Sequence, residues 1–293
     1  MIRGLAAVTA ACLLLAGPAL ACRIEPRARV AASLASGFVE LPATVDGHPA
    51  RFLLDTGAAE MLVTPGAAAR LMLAPDPTRA TRLLGTGGES RAPNAWLAGL
   101  RLGDATFARR SVPVTSLPGP IRADGLLGVP LLAAYDLDLD LERGEVGLFQ
   151  VTACAPGEPL LPAPFATVVL TPAPDRLPTI PVLVNGVRLT ALLDTGSRAT
   201  SLTPAAALRV HARMLAEGST TQGVDGARVP YQDAEVATLA VGWDAQRDVR
   251  VAVIPLAIEG ADMLLGVDWL RQRRVWVSYA TGQVAIALHR VGR

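Results

Sequence analysis

Apolar and polar residues alternate along much of this chain with the two-residue period of half-buried strands. Tyr135-Asp136-Leu137-Asp138-Leu139-Asp140-Leu141 keeps that alternation strictly, and Val275-Trp276-Val277-Ser278-Tyr279 is rich in β-branched and aromatic residues. Each predicts a strand and is followed by a turn at Gly144 or Gly282. Strand-like Ala43-Thr44-Val45 and Val182-Leu183-Val184 run into Gly47 and Gly186, so a hairpin is expected at each place. Thr64-Pro65 and Thr203-Pro204 open alanine-rich stretches that predict short helices with proline in the first turn. The pattern as a whole predicts a mostly β chain with one or two helices in each half.

The elements come in pairs. Phe52-Leu53-Leu54-Asp55-Thr56-Gly57-Ala58 returns as Ala191-Leu192-Leu193-Asp194-Thr195-Gly196-Ser197, an offset of 194 − 55 = 139. The turns at Gly47 and Gly186 keep that offset, and Val112-Pro113-Val114 matches Val251-Ala252-Val253. Asp124-Gly125-Leu126-Leu127-Gly128 then returns as Asp262-Met263-Leu264-Leu265-Gly266, an offset of 262 − 124 = 138. One net residue lost over so long a run points to duplication. Glycine-rich Gly85-Thr86-Gly87-Gly88 and Gly223-Val224-Asp225-Gly226 read either as mobile flaps or as ordinary hairpin turns.

A hydrophobic-hydrophobic-Asp-Thr-Gly-Ala/Ser segment, followed some seventy residues later by hydrophobic-hydrophobic-Gly, resembles the retropepsin-like aspartic peptidases. Both halves carry it, and Leu265-Gly266-Val267-Asp268-Trp269-Leu270 is similar to bacterial members. The resemblance implies two retropepsin-like lobes forming an intramolecular pseudo-dimer, probed by a peptide or protein substrate and using no cofactor. It implies Asp55 and Asp194 as the catalytic pair. It assigns Thr56 and Thr195 to a hydrogen-bonded lock between the loops, supported by Gly57, Ala58, Gly196 and Ser197.

The chemistry explains why two copies are wanted. Amide hydrolysis needs a base to activate water and an acid to protonate the carbonyl oxygen, and two carboxyls sharing one proton supply both. Like charges so close titrate in two separated steps, with the singly protonated pair active. The loops differ at Ala58 against Ser197. A hydroxyl donated to Asp194 would keep that carboxylate ionised and leave the proton on Asp55.

Composition removes other classes. Among 293 residues, 18% are charged and the formal net charge is +1, which leaves no field suited to nucleic acid. His48, His211 and His289 are scattered without ligand spacing, so no metal is expected. The glycine-rich segments lack a phosphate-loop lysine, and no Gly-x-Ser-x-Gly elbow occurs.

Arg3 precedes an apolar stretch from Leu5 to Leu15, and Ala19-Leu20-Ala21 then offers small residues for cleavage, so residues 1–21 read as a signal peptide. The mature chain has no run long enough to span a bilayer. A periplasmic or secreted protein is expected, with lipid attachment at Cys22 as the rarer alternative. Cys22 and Cys154 either pair as a disulfide or stay free. The predicted organisation is a first lobe over 30–152, a connection over 153–176 and a second lobe over 177–293. Eight prolines between 156 and 181 favour an extended connection, with room for a strand at Phe165 to Leu170. A monomeric aspartic endopeptidase is the expectation. Its rival is an exported protein of the same fold that grips extended peptide without cleaving it.

Overall fold

The computed structural model describes residues 22–85, 88–117, 121–154, 165–171, 173–222, 228–255 and 260–287. The first half runs β1 (Arg23–Ala31), β2 (Glu40–Val45), β3 (His48–Leu54), β4 (Leu62–Val63), α1 (Pro65–Arg70), β5 (Pro75–Gly85) and β6 (Gly88–Leu97). It continues with β7 (Arg101–Leu102), β8 (Ala105–Thr106), β9 (Arg110–Pro113), β10 (Gly125–Leu127), α2 (Val129–Leu132), β11 (Asp136–Asp140) and β12 (Glu145–Thr152). The second half repeats most of this order. It holds β13 (Phe165–Val169), β14 (Thr179–Val184), β15 (Val187–Leu193), β16 (Ser201–Leu202), α3 (Pro204–Arg209) and β17 (Arg213–Gln222). The chain closes with β18 (Arg228–Val241), β19 (Asp244–Val253), β20 (Met263–Leu265), α4 (Val267–Leu270), β21 (Arg274–Ser278) and β22 (Gln283–Ala287).

The opening hairpins form through matched two-residue turns. Asp46-Gly47 joins β2 to β3 and Asn185-Gly186 joins β14 to β15, all four residues at positive φ between 48° and 81°. That backbone matches the right-handed twist of the flanking strands, and Asp-Gly or Asn-Gly adopts it at least cost. The two helices start alike as well. The Thr64 and Thr203 hydroxyls accept from the amides of Ala67 and Ala206, with proline next in line at each helix start.

Three layers of sheet carry these parts. The first lobe has a six-stranded sheet, β4-β10-β3-β2-β7-β8, and a three-stranded one, β5-β6-β9. The second lobe joins the corresponding strands into one seven-stranded sheet, β14-β15-β20-β16-β19-β18-β17. The lobes differ at two places: β16 and β19 pair at Ser201–Ala252 and Leu202–Val253, where the first lobe has only the bridge Val63–Val114, and β18 runs unbroken to pair with β14, where the first lobe has the separate β6 and β7.

The remaining sheet belongs to both halves, in the order β1-β12-β11-β21-β22-β13. Its centre is the antiparallel pair β11 and β21, with Leu137 opposite Val277 and Leu139 opposite Val275. Outward from that seam each half supplies the same three strands, so the order reads as two mirrored triplets. β1 starts at Arg23, ahead of residue 30, and β13 lies inside the span expected as a connection. Cys22 and Cys154 are joined by a disulfide with Cα atoms 4.2 Å apart, at the end of the ladder where Arg23 faces Thr152. Residues 1–21, expected as a signal peptide, lie outside the described residues.

Candidate active site

Each Asp-Thr-Gly loop is held by a strand arriving from far along the chain. β10 runs parallel to β3, pairing Leu127 with Leu54, and the Asp55 amide donates to Leu127 O at 3.0 Å. In the second lobe β20 runs parallel to β15, pairing Leu265 with Leu193, and the Asp194 amide donates to Leu265 O at 3.0 Å. The downstream Leu-Leu-Gly segments are therefore the rails on which the aspartates sit. Gly128 and Gly266 lie so close to the loops that a Cβ on either would strike loop carbonyls, those of Glu60 and Ser197 among them.

Asp124 and Asp262, which open these segments, have a role that sequence reasoning missed. Asp124 accepts the Arg51 amide at 2.8 Å and pairs with Arg70 of α1 at 2.7 Å. Asp262 accepts the Thr190 amide at 3.0 Å and pairs with Arg209 of α3 at 2.7 Å. The recurrence of Arg70 as Arg209 at offset 139 was the available signal.

The two loops meet through a reciprocal lock, fully buried at Thr56 and Thr195. The Thr56 amide donates to Thr195 Oγ1 at 3.0 Å and the Thr195 amide to Thr56 Oγ1 at 3.1 Å. Thr56 Oγ1 then donates to Leu193 O at 2.5 Å and Thr195 Oγ1 to Leu54 O at 2.6 Å. Each hydroxyl thus accepts from the opposite loop and donates to the strand of the opposite lobe that leads into that loop. Both amides and both hydroxyls of the pair are satisfied in this way.

This lock brings the carboxyls together. The Gly57 amide donates to Asp55 Oδ1 at 3.0 Å and the Gly196 amide to Asp194 Oδ1 at 2.8 Å. A Cβ at Gly57 would stand 2.5 Å from Asp194 Oδ1, and one at Gly196 would overlap the Asp55 carboxyl. Each glycine is therefore required by the carboxyl of the opposite loop, not only by its own turn. Burial pushes Asp194 up to about 8, and the neighbouring Asp55 charge pushes the same way. Asp55 is pushed up to about 6, again by burial first, against the amides of Gly57 and Ala58 and the Asp194 carboxyl that bonds to it.

One expectation is corrected. The Ser197 hydroxyl donates to Ala199 O at 2.9 Å and not to Asp194. Asp194, 8% exposed, is also the more deeply buried of the two, and burial disfavours its ionised form more strongly than that of Asp55. Ala58 N donates to Asp55 O and Ser197 N to Asp194 O, so the loop backbones match even where the side chains differ.

Of the flap candidates, Gly85 and Gly88 end β5 and β6 and face each other in the ladder, which makes this a hairpin tip. Thr86, Gly87, Gly223, Val224, Asp225 and Gly226 lie outside the described residues. Among the described residues no three His, Cys, Asp or Glu side chains converge, and no helix is long and apolar enough to cross a membrane. A groove of about 730 Å³ beside α3, lined by Leu208, His211, Met214 and Tyr231 among others, includes neither aspartate.

With that geometry in view, the comparisons are consistent in both halves. Residues 41–131 match the family model "Aspartyl protease", and residues 180–272 match "gag-polyprotein putative aspartyl protease". The chain belongs to the retropepsin-like aspartic peptidases. It is an aspartic-type endopeptidase, with one family domain around each Asp-Thr-Gly. Among solved structures the peptidase is similar in fold to the aspartic proteinase from Irpex lacteus. That match has 11% identity and a TM-score of 0.55, covering 90% of this chain and 97% of the other. No curated protein matches the chain.

Proposed function

We propose that this peptidase cleaves peptide bonds of exported proteins or peptides at a single site built by Asp55 and Asp194 of one chain. The observation that carries this reading is the placement of each carboxyl against the opposite loop's glycine. In the resting state Asp194 holds the proton and bonds to ionised Asp55. A water between them loses its proton to the Asp55 carboxylate as it attacks the substrate carbonyl, while Asp194 gives its proton to the carbonyl oxygen. The resulting diol collapses when the proton on Asp55 passes to the leaving nitrogen. Asp194 then recovers a proton from the diol, and the starting state returns.

The amides of Gly57 and Gly196 hold the carboxyls in the orientation this exchange needs. The apolar N-terminal stretch supports export, and the disulfide at Cys22 and Cys154 suits an oxidising compartment. A cysteine so engaged has no thiol left for a lipid. The lock and the shared sheet support a monomer whose site is complete within one chain.

The test is digestion of a denatured protein mixture by wild type and by Asp194→Asn, with and without a transition-state peptide inhibitor of aspartic peptidases. Wild type is expected to cleave and be inhibited, and Asp194→Asn to lose about a thousandfold or more in kcat. Equal activity of the two would remove the dyad and favour the rival reading of a peptide binder.

A further inference from the structure

The two walls beside the dyad have the same backbone and different chemistry. In the first lobe Leu53, Leu62, Ala123 and Leu126 form a small apolar cluster with Ala58 and Phe38 packed against it. Ala58 adjoins the Asp-Thr-Gly triplet, so this buried cluster underlies the loop next to Asp55 and leaves the apolar Phe38 and Ala58 partly exposed above it. The alternation of β4 sends Val63 into the main core and Leu62 into this second cluster.

The second lobe keeps leucine at two of these places, since Leu192 matches Leu53 and Leu264 matches Leu126. It departs at three others, each at the offset of 139: Ser197 stands for Ala58, Arg198 for Ala59 and Ser201 for Leu62. Ser201 is fully buried, and its hydroxyl has no partner among the described residues.

Arg198 is exposed at the lobe junction, with its guanidinium 4.4 Å from the centre of the Phe38 ring. Gly37, at φ +83°, leaves the space: a Cβ there would be 3.3 Å from Arg198 Cδ. Stacking on Phe38 holds the arginine without neutralising it. Among the described residues it has no ion-pair partner. The first lobe has the uncharged Ala59 at this point.

We propose that the two halves of the cleft select opposite chemistries: the first-lobe wall takes an apolar side chain, and the second-lobe wall takes a polar, acidic one drawn to Arg198. The preferred substrate is then a peptide with a large apolar residue on one side of the scissile bond and Asp or Glu on the other. This rests on the peptidase reading above.

The test has two arms that separate the two ideas. Cleavage sites of wild type, Arg198→Ala and Arg198→Glu in a denatured protein digest are read by mass spectrometry. Acidic residues are expected to be enriched on one side only in wild type, reduced about fivefold by Arg198→Glu, and replaced there by basic ones. In the second arm, Asp194→Asn and its Arg198→Glu double variant are applied to an array of matched acidic and basic peptides. Acid-selective binding that disappears in the double variant supports the proposal even if no cleavage occurs. Cleavage without one-sided acidic enrichment, or charge-blind binding on the array, overturns it. Selective binding with no cleavage by wild type would instead overturn the peptidase reading.

Discussion

The carboxyl of Asp194 concentrates most of what the site does. A carboxyl whose folded pKa is raised favours the fold fully below its unfolded value and loses that contribution as pH rises through the folded one. For this pair the loss runs from the ordinary 3.8 up through about 6 and about 8. Asp194→Asn removes the deeper of the two titrations. It should therefore raise Tm at pH 8 by about 3 °C or more and leave it unchanged near pH 4, as a thermal scan at both values would show. The singly protonated pair fills the interval between the same values, so the activity profile of wild type should be bell-shaped around neutrality. Both limbs should lie above the range of isolated carboxyls. Ser197→Ala should leave those limbs in place within about 0.2 units, because that hydroxyl serves Ala199 O. A shifted acid limb would return the hydroxyl to Asp194.

Among the elements, the loop after Asp194 has a support that its counterpart lacks. Asp268 of α4 accepts the Thr200 amide at 2.9 Å and the Thr200 hydroxyl at 2.7 Å. The matching places in the first lobe are Met61 and Pro130, which have no such bond to offer. Asp268→Ala leaves two buried donors on Thr200 without a partner, so it should destabilise by about 2–3 kcal/mol in denaturant unfolding and lower kcat. Asp268→Asn keeps an acceptor and should cost less. Elements of this length were largely legible beforehand. Asp-Gly and Asn-Gly dictate their turns locally, and Thr-Pro before alanines dictates a helix start. The reach of Asp124 to Arg70 and of Asp268 to Thr200 was not legible, because side-chain bonds across 54 and 68 positions leave no periodic trace. Asp124 was visible as part of a repeated motif and silent about its partner.

For the whole molecule, duplication told the number of lobes but not how they join. The seam of Leu137 and Leu139 against Val277 and Val275 pairs strands some 140 residues apart, and alternation within a strand cannot name its neighbour. The strand allowed for among the prolines at Phe165 does form and closes one edge of the common sheet, but nothing in its sequence named β22 as its partner. The disulfide sits within the first triplet of that sheet, closing a loop across a sequence separation of 132. Its reduction should cost about 4 kcal/mol and lower the first transition in calorimetry, with the second lobe retaining its own seven strands. The seam has a further effect on how the molecule behaves in dilute surroundings. Two separate half-sites would come apart as their concentration fell, but here the second half searches for the first at the end of a short tether, at an effective concentration near millimolar. Activity per molecule should then stay constant from micromolar to nanomolar, since dilution alone cannot part the two aspartates.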